Sequence, residues 1–261
     1  MRVLLTNDDG YNSVLFKIVL RNLKKQSWVT ELQVAAPEKE QSWRSGSMSG
    51  HGSIHPRYAD VEGQRIAIID GTPADCADFG VYHLFSEYPD LVISGINCGE
   101  NTGLGFLMCS GTLGAAMHGN LLLKPIPGVA LSQCLFNREK YLKIKDNALS
   151  PDELQKYTLH LNDALELIWQ KLKDSDGSPF SVDPQPITWA FNIPDVASDK
   201  MVVQEARLGD SRLLQCYCKV GDEYKHLLKE YVDSKERDSD VQVVKSGKIS
   251  LTKIDLRRLC Q

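Results

Sequence analysis

Residues 3–10 read Val-Leu-Leu-Thr-Asn-Asp-Asp-Gly, an apolar run that ends abruptly in an amide, two adjacent carboxylates and a glycine. The pattern predicts a buried strand followed by a turn, and apolar residues at helical spacing beyond it predict a helix. Asp8 and Asp9 would then lie at the carboxyl end of the first strand, where open α/β sheets place their ligands. The alternative is that one carboxylate caps the helix and the other is solvated.

The composition is that of an ordinary globular protein. The chain has 261 residues, of which 42% are hydrophobic and 25% charged, with a formal net charge of −4. This charge provides no basic field for a nucleic acid polymer or an anionic membrane. No apolar run approaches the ~20 residues of a membrane helix. Seven scattered cysteines, without a secretory signal pattern, predict reduced thiols and a cytoplasmic location.

Strand and helix patterns alternate along the first half of the chain. Further strands are predicted at residues 32–36, 65–69, 90–94 and 129–131. Helices are predicted to begin near Thr72 and near Ser110, the second reaching residue 123. The alternation predicts a mainly parallel sheet with helices on both faces. The long aperiodic segment 38–57 is predicted to be a functional loop.

The second half has weaker patterns. A capping box at Ser150 begins a helix with one apolar face, and strands are predicted at residues 187–193 and 214–220. The polar segment 137–147 is interpreted as a connection. Residues 241–244 and 249–252 flank Ser246-Gly247, which predicts a hairpin.

Polar side chains follow several strands that should point the same way. Asn7, Asp8 and Asp9 follow the first predicted strand, Ser42 the second, and Asn97 and Asn101 that of residues 90–94. Carboxyl ends of neighbouring parallel strands meet at one edge of a sheet. Carboxylate, amide and hydroxyl oxygens suit Mg²⁺, Mn²⁺ or Ca²⁺. The sequence therefore predicts a site for one divalent metal ion.

Two helix starts have both structural and functional interpretations. Ser110-Gly111-Thr112 begins a helix whose free N–H groups favour an anion, and Gly111 would let a phosphate approach the backbone closely. A plain cap is the alternative for this segment. Thr72, Pro73 and Asp75 form a capping-box pattern, so we interpret Asp75 as structural.

Taken together, these motifs resemble the survival protein SurE family of metal-dependent 5′-nucleotidases. They occur in the family's order over the first ~130 residues, which makes a chance match improbable. The resemblance thins beyond them to Asn192-Ile193-Pro194 and residues 238–252. The matching segments are residues 5–10, Ala36-Pro37 with Ser42, Gly71-Thr72-Pro73-Ala74-Asp75-Cys76, residues 94–101 and residues 110–116.

The resemblance implies a metal held by Asp8, Asp9, Ser42 and Asn97, and hydrolysis of nucleoside monophosphates. It also implies a Rossmann-like three-layer α/β sandwich with a mostly parallel sheet and a C-terminal β-hairpin extension. The implied division is a catalytic domain over residues 1–200 and an extension over residues 201–261 that assembles a homodimer or homotetramer.

Three departures from the family pattern limit the transfer. Cys109 stands where the family has an aromatic residue, so the pocket wall differs, and Lys253 stands where it has a proline. Ser45 competes with Ser42 as the metal ligand, because both lie in the same loop.

The mechanistic hypothesis is attack of a metal-activated water on phosphorus. Asp8, Asn97, Ser110, Gly111 and Thr112 form the predicted catalytic group, with Asn97 and the helix-start amides on the phosphate oxygens.

Several nearby residues receive weaker assignments. Asn101 is a substrate-contact candidate. His118 is a candidate proton donor, although a partly exposed helix histidine is the simpler interpretation. Trp43 and Arg44 lie on a loop that would cover the nucleoside.

Two alternatives from other classes stay open. A receiver-like signalling module would use Asp70 as phosphoacceptor and Lys124 as its lysine, although the chain is long for that class. A nucleotide-binding protein would keep the same site without turnover.

Overall fold

The computed structural model describes residues 1–195 and 201–260. The helices are α1 (Val14–Leu23), α2 (Pro73–His83), α3 (Gly103–Cys109), α4 (Gly111–His118), α5 (Arg138–Lys145), α6 (Pro151–Lys173) and α7 (Asp240–Lys245). The strands are β1 (Arg2–Thr6), β2 (Glu31–Pro37), β3 (Arg57–Val61), β4 (Gln64–Ile69), β5 (Leu91–Cys98), β6 (Gly128–Gln133), β7 (Thr188–Ile193), β8 (Val203–Glu205), β9 (Arg212–Val220), β10 (Glu223–Val232) and β11 (Ile249–Ile254).

A nine-stranded sheet forms the centre of the molecule, in the order β3-β4-β2-β1-β5-β6-β7-β11-β8. The six strands from β4 to β7 in this order are parallel, β3 runs antiparallel to β4, and β11 runs antiparallel to β7 but parallel to β8. Helices α1, α5 and α6 cover one face, and α2 and α4 cover the other. The predicted α/β three-layer architecture with a mostly parallel sheet is confirmed.

The alternating side chains of β1 connect the two layers. Val3 and Leu5 pack in the cluster that includes α1 and α6, whereas Leu4 packs on the opposite face against α2. All three are fully buried, as expected for a central parallel strand with helices on both sides. The apolar run of residues 3–5 is therefore the centre of both layers of the core.

The predicted hairpin at residues 241–252 is wrong, although the structure does contain a hairpin near its C-terminus. Residues 240–245 form α7, and Gly247, with φ of +82°, follows the end of that helix. Short apolar runs do not distinguish a buried helix from a strand, which explains the error. β9 and β10 form the antiparallel hairpin instead. The division of the chain at residue 200 stays a prediction; β8 and β11 lie within the main sheet.

Three other boundaries differ from the sequence expectations. The segment 137–147 contains α5, which the Asn137 side chain caps, and its scarcity of apolar residues hid it. The helix expected to reach residue 123 ends at His118 and continues as a 3₁₀ turn. The loop expected over residues 38–57 ends in β3, an edge strand whose largely exposed side chains show no clean alternation.

Both predicted capping boxes are present, at Thr72 with Asp75 and at Ser150 with Glu153. Each pairs a hydroxyl and a carboxylate with the free N–H groups of a helix start. Asp75 also accepts hydrogen bonds from the backbone and hydroxyl of Ser49, which fixes the long loop against α2. No helix within the described ranges combines the length and apolarity needed to cross a membrane.

The contact between α2 and β1 predicts a specific packing defect. A Cβ added to Gly80 would lie 2.4 Å from Cδ1 of Leu4, which is fully buried. We expect Gly80→Ala to lower the free energy of unfolding by about 1–3 kcal/mol, measured by urea denaturation. Gly50→Ala is the control, because no heavy atom lies within 4 Å of its added Cβ. Equal stabilities for the two variants would contradict this account of the packing.

Candidate active site at the carboxyl edge of the sheet

The site lies at the carboxyl edge of the central strands. β1 runs parallel to both β2 and β5, and Thr6 pairs with Ser94, so the segments that follow these strands converge. They surround a cavity of about 330 Å³. Of the predicted site residues, six line this cavity: Asp8, Ser42, Trp43, Asn97, Asn101 and Ser110.

Asp8 is a deeply buried carboxylate of the site. It is 3% exposed, and Oδ1 accepts a 2.6 Å hydrogen bond from the hydroxyl of Thr112. Burial and the negative charge of Asp9 raise the pKa of Asp8 to about 7. The alternative in which one of the pair caps α1 is wrong, because the Ser13 side chain accepts the hydrogen bond from the backbone N–H of Phe16.

Asp9 lies behind Asp8 and is held from two sides. Its Oδ2 accepts a 2.6 Å hydrogen bond from the backbone N–H of Cys98, and Oδ1 accepts one of 2.5 Å from Lys145. The ammonium group of Lys145 also lies 2.8 Å from a carboxylate oxygen of Glu40. Sequence reasoning missed Lys145, since residues 138–145 of the assigned connection form α5, and it also missed Glu40 of the long loop.

The two candidate serines of the long loop occupy different environments. Ser42 lines the cavity, and its hydroxyl donates a 2.6 Å hydrogen bond to Glu40. Ser45 lies against α4, where a Cβ on Gly114 would come within 2.1 Å of its carbonyl oxygen. Its backbone N–H donates to the carbonyl of Cys109. This placement favours Ser42, and its role as a ligand stays a prediction.

β5 extends beyond the predicted strand of residues 90–94, so that Asn97 is its penultimate residue and Asn101 lies on the glycine-rich turn that follows. The Asn97 amide group donates to the carbonyl of Gly99 at 2.9 Å, and that of Asn101 donates to the hydroxyl of Ser132 at 2.8 Å. The Asn101 backbone N–H donates to the side-chain oxygen of Asn192, the first residue of the Asn-Ile-Pro motif. That motif therefore holds the turn in place from β7.

A second late motif supports the same turn. Asp240, which is 1% exposed, accepts hydrogen bonds from the backbone N–H groups of Gly103 and Gly209 at 2.8 and 3.0 Å. These bonds satisfy buried donors and connect the start of α3 to the C-terminal region. We conclude that the weaker motifs of the second half are structural supports of the site.

The Ser110-Gly111-Thr112 segment is both a helix cap and part of the site. The hydroxyl of Ser110 accepts a 3.1 Å hydrogen bond from the N–H of Leu113, so the cap interpretation is correct. The same segment lies against Asp8, since a Cβ on Gly111 would come within 3.0 Å of the Asp8 Cβ. The N-terminus of α4 therefore faces the carboxylates, where an anion held beside a cation would also contact it.

Other candidates lie outside the cavity. His118 contacts Asp78 at 3.0 Å at the far end of α4, roughly 10 Å along the helix from its start. Asp70 contacts His55 at 3.1 Å and follows β4, which β2 separates from β1. Lys124 is exposed and lies beside Tyr88. This arrangement does not bring the receiver-like pair to the acidic site.

Aromatic side chains form one part of the cavity lining, an aromatic wall. Phe106 of α3 and Tyr231 of β10 are in edge contact at 5.1 Å, and the Tyr231 hydroxyl donates to Glu100. Trp43 of the long loop contacts His226 of the hairpin at 4.6 Å. Sequence reasoning placed Trp43 near the site, but it missed Phe106 and Tyr231. Their approach depends on the hairpin folding back over α3.

The cysteines near the site are embedded rather than reactive. Cys98 and Cys109 both line the cavity, and burial raises the pKa of each thiol. A thiol whose pKa is raised stays protonated at neutral pH and is a poor nucleophile. The structure therefore supports their interpretation as packing residues. Cys109 forms part of the cavity wall next to the start of α4.

These observations define a Rossmann-like α/β protein whose polar site, built from carboxylate, amide and hydroxyl groups, lies at the carboxyl edge of its sheet. The sequence model of the family described as Survival protein SurE matches residues 3–214. The chain belongs to the SurE family.

Relatives with the name 5′-nucleotidase SurE match to different extents. The protein from Methanococcoides burtonii is 27% identical over 98% of this chain and 93% of its own length. That from Polaromonas sp. is 34% identical over 80% of this chain and 72% of its own. The protein from Citrifermentans bemidjiense is 41% identical, but the match spans about half of each chain. The crystal structure of the SurE protein from Aquifex aeolicus superposes with a TM-score of 0.68 at 25% identity, over 98% of this chain and 94% of that one.

The raised pKa of Asp8 predicts a pH dependence of stability in protein kept metal-free with EDTA. The folded-state pKa of about 7 exceeds the usual 3.8, so the folded state binds the proton more tightly than the unfolded state. The stabilising contribution of Asp8 is therefore complete below about pH 4 and is lost as the pH rises through about 7. We expect the free energy of unfolding of wild type, minus that of Asp8→Asn, to decrease as the pH rises over this range. Both are measured by urea denaturation. A difference independent of pH would contradict the assignment.

Proposed function

We propose that the protein is a metal-dependent phosphatase that hydrolyses nucleoside 5′-monophosphates to nucleoside and phosphate. The observation that carries the proposal is one cavity lined by Asp8, Ser42, Asn97 and Ser110, beside the start of α4. The membership in the SurE family and the names of the relatives support a nucleotidase activity.

The residues at this edge fit a divalent cation by the chemistry of their donor atoms. Asp8, Asp9, Ser42 and Asn97 offer carboxylate, hydroxyl and amide oxygens, which suit Mg²⁺ or Mn²⁺, with Ca²⁺ a further candidate. In the described ranges no three His, Cys, Asp or Glu side chains form a metal-holding group, so the amide and hydroxyl are essential to this set. When bound, the metal would polarise the phosphoryl group and lower the pKa of an attacking water.

The remaining groups would position the phosphate. The Asn97 side chain and the free N–H groups at the start of α4 would donate hydrogen bonds to its oxygens, where charge develops during hydrolysis. Thr112 would hold Asp8 in place through its 2.6 Å hydrogen bond. Ser110 lines the cavity beside these groups, and the contact of Gly111 with Asp8 leaves no room for a side chain between helix and carboxylate.

The aromatic wall supports a nucleoside as the leaving group. Phe106, Trp43 and Tyr231 all line the same cavity as Asp8. Aromatic rings of this kind stack on nucleobases without requiring a particular base. A homodimer or homotetramer, with the hairpin as a contact element, and a cytoplasmic location stay predictions. Leu214, Tyr217 and Tyr224 of the hairpin are exposed and support the proposed assembly.

The decisive experiment is phosphate release from a panel of nucleoside monophosphates, with EDTA and with added Mg²⁺ or Mn²⁺. We expect release only with metal, and we expect Asp8→Asn and Asp9→Asn to lose at least ~100-fold in kcat/KM together with metal affinity. Asp176→Asn, an exposed carboxylate on a loop, is the matched control. Nucleotide binding without turnover under any of these conditions would identify a binding protein instead.

A second prediction tests the close contact between α4 and Asp8. In Gly111→Ala the added methyl would lie 3.0 Å from the Asp8 Cβ and 3.1 Å from the carbonyl oxygen of Gln41. The displaced carboxylate should reduce kcat/KM by about 10- to 100-fold, because small misplacements at a catalytic centre are costly. The thermal unfolding midpoint should change by only a few degrees. An unchanged kcat/KM would show that this contact does not position Asp8.

A further inference from the structure

Helix α5 presents one face to the active site. Arg138, Tyr141 and Lys145 have i, i+3 and i+7 spacing, which places them on the same side of a helix. Arg138 and Tyr141 line the cavity, and Lys145 reaches past it to Asp9. Ile144 is 2% exposed and anchors the helix in the main core. An element outside the family motifs thus brings Arg138 to the cavity lining and Lys145 into contact with the carboxylates.

Lys145 is the more deeply placed of these cations. Its side chain is 17% exposed, and its ammonium group contacts the carboxylates of Asp9 at 2.5 Å and Glu40 at 2.8 Å. Withdrawing an ammonium group from water is costly unless opposite charges and hydrogen bonds replace the solvent. Both partners are therefore needed to keep Lys145 where it is. Glu40 in turn accepts the hydroxyl hydrogen bond of Ser42.

The side chains of this cluster determine the net charge of the site. Asp8, Asp9 and Glu40 carry three negative charges when ionised, and Lys145 carries one positive charge. A divalent cation would bring the four side chains to neutrality, so that a phosphate dianion meets no net repulsion. Without Lys145, one negative charge would remain at the metal-loaded site. Lys145 would repel the metal and attract the phosphate, because charges at short range in a partly buried site are poorly screened.

We propose that Lys145 is a positioning residue that orients Asp9 and sets the balance between metal and phosphate binding. Its charge weakens the affinity for the divalent cation and strengthens the affinity for the phosphate in the metal-loaded site. This inference rests on the proposed metal-dependent phosphatase function. Lys145 is expected to keep its contact with Asp9 when the metal is present.

The test measures two affinities that the inference predicts will move in opposite directions. Mn²⁺ binding to the metal-free protein is titrated by calorimetry, and inorganic phosphate binding is then titrated at saturating Mn²⁺. In Lys145→Met the Kd for Mn²⁺ should fall about tenfold and the Kd for phosphate should rise about tenfold. Lys145→Arg should stay near wild type, because it keeps the charge.

Two further variants control the comparison. Lys143→Met removes a more exposed lysine of the same helix, whose partners are Glu139 and Glu153, and should leave both affinities unchanged. Glu40→Gln removes a negative charge at the other side of Lys145 while keeping an oxygen that accepts from Ser42. It should weaken Mn²⁺ binding and tighten phosphate binding.

Each other outcome overturns the inference in a distinguishable way. If Lys145→Met weakened both affinities, Lys145 would be a structural support only. If Lys145→Met tightened Mn²⁺ binding and left phosphate binding unchanged, Lys145 would contact Asp9 only in the metal-free protein and would have no effect on phosphate. A wild-type protein that binds no divalent cation would overturn the proposed function together with this inference.

Discussion

The structure depends on compensating two adjacent carboxylates that are buried at the end of its central strand. Asp8 and Asp9 lie two and three residues beyond the end of β1, and each side chain is almost completely withdrawn from solvent. A hydroxyl, a backbone N–H and an ammonium group compensate them within the chain. Each of these donors comes from a different element: α4, β5 and α5. The two carboxylates are therefore a common point of contact for α4, β5 and α5.

The sheet order makes this compensation feasible. Because β1 lies between β2 and β5, segments from both sides reach its carboxyl end over only one strand spacing, roughly 5 Å. The same order places Asp70 after β4, on the far side of β2, and Asp70 therefore contacts His55 rather than the site. Proximity at this edge follows from strand position, and it distinguishes the site residues from equally acidic residues nearby.

The first half of this arrangement was predictable from the sequence, because it depends on local patterns. Buried parallel strands are continuous apolar runs, and turns rich in Asp, Asn and Gly follow them, so the strands around Asp8 and Asn97 were recognisable. Asp75 was recognised as a cap because a capping box lies within four residues. Their positions relative to one another follow from the alternation of strands and helices.

The missed features share a different origin. Helix α5 has one fully buried residue, Ile144, so no hydrophobic periodicity marked it, and Lys145 was lost with it. Residues 241–244 are apolar in a run too short to show its period, and whether they form a helix or a strand depends on the neighbouring β7 and β11. Tyr231 reaches the cavity only because the hairpin folds back over α3. Such contacts depend on tertiary structure, which a local pattern does not encode.

The second half of the chain contributes to the site mainly through backbone contacts. Asn192 and Asp240 accept hydrogen bonds from the backbone of Asn101, Gly103 and Gly209, and neither lines the cavity. Buried N–H groups at a turn must be satisfied, and these two side chains satisfy them from β7 and α7. The turn that follows Asn97 is therefore ordered by residues almost a hundred positions or more away. This explains why short polar motifs occur in a region where the remaining sequence resembles the family only weakly.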